Sequence, residues 1–256
     1  MVRDRYVKIT LPILNIGAII MNYPNDFINK IICGDCLEVM KDISDNSIDL
    51  VLTDPPYLVT SRGSAGNSGG MLQKDINKKG IVFDNNDIHI NEWVTPLQRV
   101  LKNGSHCYIM TNHKNLIEYL NVLTNNGFHF IKSLIWDKGN KIMGQYYMSQ
   151  FEYILFLRKS YGKKINNCGT SDILRVENKK NKYNNINFHD TEKPTKLMEI
   201  LISNSTNEND IVLDPFLGVG ATAVACKHLK RNFIGIEIDT EYGEIARQRL
   251  RQDILI

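Results

Sequence analysis

From about residue 27 onward, short apolar runs alternate with stretches whose apolar positions recur at helical spacing. Short continuous apolar runs bounded by turn residues read as buried strands, and recurrence every three to four residues reads as one helix face. Ile28 to Cys33 predicts a strand, Leu37 to Lys41 a helical turn, and Ile48 to Thr53 a continuous apolar strand. Ile90, Trp93, Val94, Leu97, Val100 and Leu101 mark a helix face in which Pro96 is a start or a kink. A strand over Ser105 to Met110, a helix over Leu116 to Leu123, and strands over Phe130 to Trp136 and Phe151 to Leu157 follow. The last third is the most regular. A helix opens at Lys193-Pro194 and runs to about Asn204, and a strand spans Ile211 to Asp214. Pro215 to Gly220 is a turn, Ala221 to Leu229 a helix, Asn232 to Ile238 a strand and Glu241 to Arg251 a final helix. Strands alternating with helices predict an α/β fold, a largely parallel sheet with helices on both faces.

Three stretches depart from this rhythm. Residues 1–21 read as an N-terminal extension ahead of a single domain over 22–256, or as an extra strand packed on it. Their apolar run, Leu11 to Ile20, is too short to span a bilayer and carries Pro12, Asn15 and Gly17. It also lacks a small-residue cleavage site after it, which argues against a secretory leader. Residues 58–90 form a polar loop insertion rich in Gly, Ser, Asn and Lys, a length that in a compact domain is functional or disordered. In residues 160–187 six basic residues stand against Asp172 and Glu177, an excess of four positive charges, with asparagines between them.

Composition excludes little. The chain has 256 residues, 43% hydrophobic and 23% charged, with a net charge of +3, so any nucleic-acid footprint has to be local. Five cysteines with one C-x-x-C, Cys33 and Cys36, make no four-ligand zinc site; buried free thiols in a reducing cytoplasm fit better, and no metal is expected.

Two constellations carry chemistry. The first is Asp214-Pro-Phe-Leu-Gly218-Val-Gly220 between a strand and a helix, followed by a strand ending at Glu237, 19 positions after Gly218. Glycines there let the backbone turn tightly against a ligand, and an acidic residue at the next strand end is placed to accept from a ribose diol. The third glycine of a dinucleotide fingerprint is missing, which disfavours a nicotinamide-dependent dehydrogenase. Asp214 suits a cationic ligand better than a pyrophosphate, and S-adenosyl-L-methionine carries a sulfonium and an ammonium. A capping Asp with packing glycines would read the same way.

The second is Asp54-Pro55-Pro56-Tyr57 at the carboxyl end of an apolar strand, where open parallel sheets bind ligands. Two prolines stiffen the turn. An exocyclic amino nitrogen is a poor nucleophile because its lone pair is delocalised into the ring. The Asp54 carboxylate and Pro55 carbonyl can hold its two N–H bonds and favour a tetrahedral nitrogen aligned for attack. Tyr57 would stack on a base flipped out of the duplex. The competing reading is a surface turn.

Together these motifs resemble the adenine-N6 and cytosine-N4 DNA amino-methyltransferases of restriction–modification systems. The catalytic motif precedes the cofactor motif, as in that family's circularly permuted β-type, and the likeness covers roughly residues 28–252. Cys33-Gly34-Asp35-Cys36, Trp136-Asp-Lys138, Phe151 to Lys159 and His189 to Pro194 are similar to further family segments in the same order. The resemblance implies a Rossmann-like methyltransferase fold that moves a methyl group from S-adenosyl-L-methionine to the 6-amino group of adenine in double-stranded DNA. It makes Asp54, Pro55, Pro56 and Tyr57 the catalytic set. Asp35, Cys36, Lys193, Asp214, Pro215, Phe216, Gly218, Gly220, Ala221, Thr222, Glu237 and Ile238 become the cofactor residues. Val219 and Ala221 depart from the hydroxyl residues common in the family's turn, and Asp190 stands where it often has proline.

DNA contacts are expected from Arg62, Lys74, Lys78 and Lys79 in the first polar stretch. Lys163, Lys164, Arg175, Lys179, Lys180 and Lys182 belong to a small target-recognition segment over 160–190. Similar enzymes often dimerise, so a homodimer and a cognate endonuclease are the further partners to test, with no membrane. Cytosine-N4 methylation, protein-glutamine methylation and a non-catalytic DNA-binding relative are the rival readings.

Overall fold

The computed structural model describes residues 22–56, 88–142, 146–178, 182–183, 186–187 and 192–252. The expected extension over 1–21, Tyr57, and most of the 58–90 stretch, with Arg62, Lys74, Lys78 and Lys79, lie outside these residues, as do Lys179 and Lys180.

Among the described residues eight strands form one sheet in the order β1 (Lys30–Cys33), β10 (Asn232–Glu237), β9 (Ile211–Asp214), β2 (Ile48–Thr53), β3 (Leu101–Thr111), β5 (Ser149–Lys159), β4 (Phe128–Ile142) and β6 (Ile173–Arg175). The first five are mutually parallel; β5 runs antiparallel to β3 and to β4, and β6 lies parallel to β4. The antiparallel hairpin follows from the chain, because only six residues separate β4 from β5, too few for the crossover a parallel return needs. The β6 edge was not expected. It is three residues inside a polar stretch, and its Leu174 alone is buried. A separate two-strand ladder pairs β7 (Lys182–Tyr183) with β8 (Ile186–Asn187).

Strand β2 is buried on both faces, which is why it reads as an unbroken apolar run rather than an alternating one. One face packs against α1 (Cys36–Val39), α2 (Ile90–Val100) and α3 (Leu116–Asn125) through Cys36, Trp93, Leu97 and Leu123. The opposite face packs against α4 (Thr195–Ser205), α5 (Ala221–His228) and α6 (Thr240–Gln252) through Leu197, Leu201, Ala225 and Ala246. Pro96 sits inside α2 rather than at its start. The Lys159 ammonium donates to the carbonyls of Gln98 at 2.7 Å and Leu101 at 2.8 Å, closing the carboxyl end of α2. Among the described residues no helix is long and apolar enough to cross a membrane.

Candidate active site

The parallel order places four sequence-distant acidic residues at the carboxyl ends of four adjacent strands. Cys33 at the end of β1 is in register with Glu237 of β10, and Asp35 follows two residues on. Gly235 of β10 is in register with Asp214 of β9, and Leu213 with Val51 of β2, so Asp54 lies just past the next strand end. The two constellations are therefore one row along one edge, where an open α/β sheet binds its ligands.

At the cofactor end, Gly34 donates its N–H to the Glu237 carbonyl at 2.9 Å. The Asp35 side chain caps α1 by accepting from the Leu37 N–H at 2.8 Å, and Asp35 is otherwise exposed. Glu237 is buried and accepts from the Gly218 N–H at 2.6 Å and the Asp239 N–H at 2.9 Å. Burial raises its pKa above the usual carboxylate value, with those two amides working against the rise. Gly218 and Gly220 have φ of +57° and +89°. A Cβ at Gly218 would meet nothing within 4 Å, whereas one at Gly220 would stand 2.8 Å from the Ala246 Cβ. An open approach at Gly218, beside a buried carboxylate at the next strand end, fits a nucleoside ligand such as S-adenosyl-L-methionine.

Asp214 is differently employed. Its Oδ1 accepts from Thr53 at 2.8 Å and from the Phe216 N–H at 3.2 Å, and its Oδ2 from Thr222 at 2.6 Å. Burial pushes its pKa up to about 6 against the pull of these donors. Its carboxylate thus ties the glycine turn to the end of β2. Pro215 is buried in the same turn, Ala221 and Thr222 are buried at the start of α5, Phe216 is half-buried, and Ile238 is exposed.

At the catalytic end the Lys193 ammonium donates to Asp54 Oδ2 and lies 3.5 Å from Glu152 Oε2. Glu152 Oε1 accepts in turn from Lys138, whose ammonium stands 5.1 Å from the Trp136 ring centroid. Lys193, expected beside the methionine end of the cofactor, thus sets its charge on Asp54. Burial works against that charge, yet Asp54 and Glu152 hold the Lys193 pKa above the ordinary lysine value. Burial raises Asp54 while Lys193 opposes the rise. Asp54 Oδ1 is buried and has no hydrogen-bond partner among the described residues. Pro55 is buried, and the Tyr119 hydroxyl donates to the Pro56 carbonyl at 3.4 Å. Trp93 backs both ends, edge-on to Tyr119 at 6.2 Å and to Phe216 at 5.6 Å.

The remaining candidates scatter. Lys163 and Lys164 are exposed, and Arg175 is exposed with Asp137 at 3.8 Å. Of the C-x-x-C pair, Cys36 is buried, its thiol pushed up to about 12 chiefly by burial, but Cys33 is exposed and accepts from Arg247 at 3.0 Å. The expectation of two buried thiols fails for Cys33 because it ends an edge strand. Lys138, Glu152 and Thr53 were not assigned roles from the sequence. The signal available was two charged residues inside apolar strands, and only the register that sets Glu152 opposite Trp136 brings them to the site.

The family model described as DNA methylase matches residues 48–248. The chain is 30% identical over 258 residues to the type II methyltransferase M2.DpnII of Streptococcus pneumoniae, covering 93% of this chain and 96% of that one. It is 32% identical to the putative methylase YubD of Escherichia coli K12, covering 87% and 90%. The structure of M1.HpyAVI in complex with SAM is similar at a TM-score of 0.65 and 28% identity, covering 86% of this chain and 98% of that one. The cytosine-N4-specific PvuII DNA methyltransferase shares the fold, with a TM-score of 0.65 at 17% identity. Catalytic strand first, cofactor turn second, and a matched family model over most of the chain agree: the protein belongs to the DNA methylase family of amino-methyltransferases, in its circularly permuted β-type order.

Proposed function

We propose that this chain transfers a methyl group from S-adenosyl-L-methionine to the 6-amino group of adenine in double-stranded DNA. The observation that carries the reading is Asp54: one carboxylate oxygen is committed to Lys193, and the other is buried with no hydrogen-bond partner among the described residues. A buried acceptor without a donor is costly, so its natural complement is a donor brought by the substrate. An amino group supplies that N–H, and the Pro55 carbonyl takes the second. Held by two acceptors, the nitrogen turns its lone pair toward the cofactor side of the row.

When bound, S-adenosyl-L-methionine supplies an electrophilic methyl on a sulfonium. Glu237 accepts from its ribose, the open backbone at Gly218 lets it approach, and Phe216 lines its methionine end. Tyr57 stacks on the flipped base. Asp in the tetrapeptide favours adenine; cytosine-N4 methylation is the alternative within the same family. The reading further includes contacts to DNA phosphates from Lys163, Lys164 and Arg175, a homodimer, a cognate endonuclease and a cytoplasmic location. Its support is the family membership and the type II methyltransferases among the relatives.

The test is nucleoside analysis of duplex DNA incubated with the protein and methyl-labelled cofactor. Label in 6-methyladenine is the expected result. Label in 4-methylcytosine would overturn the base assignment, and DNA binding without any cofactor binding in calorimetry would favour a non-catalytic relative.

A further inference from the structure

We propose that Glu152 is a positioning residue for methyl transfer, sharing the Lys193 ammonium with Asp54 so that Asp54 stays basic enough to take the proton the amino group releases. The inference rests on the reading of Asp54 as the amino-group acceptor.

The geometry is an alternating row of four charges that starts at the catalytic turn and runs into the β4–β5 hairpin. Asp54 meets Lys193, Lys193 meets Glu152 at 3.5 Å, and Glu152 meets Lys138. Lys193 is 7% exposed, Glu152 18% and Lys138 15%, so solvent screens the row weakly. Lys193 holds Glu152 below the usual glutamate value against its burial, with Lys138 adding to the effect.

The chemistry needs such a balance. As the amino lone pair forms the N–C bond, the S–C bond breaks and its electron pair stays on sulfur, leaving a neutral thioether. The nitrogen is then cationic and must lose one N–H proton, returning that bond pair to nitrogen. Asp54 Oδ1 is the buried acceptor in place to receive it. A lysine ammonium bound to Asp54 alone would suppress that basicity. A second carboxylate on the same ammonium draws part of its charge away. Among the described residues the other titratable groups acting on or with Asp54 are Lys138 of β4, Asp214 of β9 and Tyr119 of α3. Of these only Lys138 is linked to Lys193 through Glu152.

Two substitutions at opposite ends of the hairpin pair should move the same observable in opposite directions. The measurement is the single-turnover methylation rate against pH, with cofactor affinity by calorimetry as a check on folding. Glu152→Gln leaves Lys193 to Asp54, so the acid limb should move to lower pH while the plateau rate falls about tenfold or more. Lys138→Met frees Glu152 to draw harder on Lys193, so the acid limb should move to higher pH. A structural role alone would lower rates without moving the limbs apart. If the wild type methylates DNA and both limbs stay where they are, or move the same way, the role of Glu152 is refuted while the methyltransferase reading stands. If Glu152→Gln does not fold, an unmoved limb in Lys138→Met refutes it equally. A wild type that binds cofactor but never methylates an amino group refutes the reading beneath it.

Discussion

Thr53 donates its hydroxyl to Asp214 across 2.8 Å, joining the last residue of β2 to the last residue of β9. The two residues are fully or nearly fully buried, so the bond is made where neither partner can turn to water. Thr53→Val keeps the shape and removes the donor, leaving Asp214 Oδ1 with the Phe216 amide alone. The expected cost is about 1–3 kcal/mol of stability with weakened cofactor binding. Urea unfolding and calorimetry check both, and Thr53→Ser should restore them.

Asp214 also predicts a pH dependence. Its pKa is raised to about 6 in the folded chain, chiefly by burial, from a reference value of 3.8. The folded state therefore binds this proton more tightly than the unfolded state. The resulting contribution is fully present below about pH 4 and is lost as pH rises to about 6, a span worth about 3 kcal/mol. Asp214→Asn has no such titration. The stability of wild type relative to Asp214→Asn should fall between those limits and stay level above them in urea titrations at stepped pH.

The two glycines of the turn should separate packing from binding. At Gly220 a methyl would press on Ala246 at 2.8 Å with φ at +89°, so Gly220→Ala is expected to cost about 2–4 kcal/mol. At Gly218 the space is open and φ is +57°, so Gly218→Ala should cost only about 1 kcal/mol of stability. Its larger effect should be on cofactor affinity, because the proposed function puts the ligand on that open side of the turn. Thermal unfolding with and without cofactor distinguishes the two cases.

Arg249 on α6 donates to the Val219 carbonyl at 2.7 Å and pairs with Glu192 at 2.7 Å, both side chains largely buried. It thereby ties the cofactor turn to the residue preceding Lys193. Arg249→Met removes a buried ion-pair partner of Glu192 and should cost about 3–5 kcal/mol. Arg249→Met combined with Glu192→Leu should recover part of that loss, measured by urea unfolding.

The parts of this site that were legible in the sequence are those written in local chain chemistry. The apolar run ending at Thr53 and the Pro-Pro pair after it specify a buried strand and a stiff turn without reference to anything distant. The same holds for Asp214 to Gly220, where a strand meets a positive-φ glycine and then a helix. What stayed hidden depends on pairing across the sheet. Glu152 and Lys138 reach Lys193 only through the antiparallel register of β4 with β5. The employment of Asp214 was equally out of reach, since Thr53 lies 161 residues away in the chain. Strand β6 was missed because three residues with one buried side chain carry no periodicity.

The central claim concerns Asp54, and the direct measurement is methyl transfer to duplex DNA by Asp54→Ala under single-turnover conditions with saturating cofactor. The predicted result is a rate lowered by about a thousandfold in a chain that still folds and binds cofactor. Transfer at the wild-type rate by that variant would contradict the account.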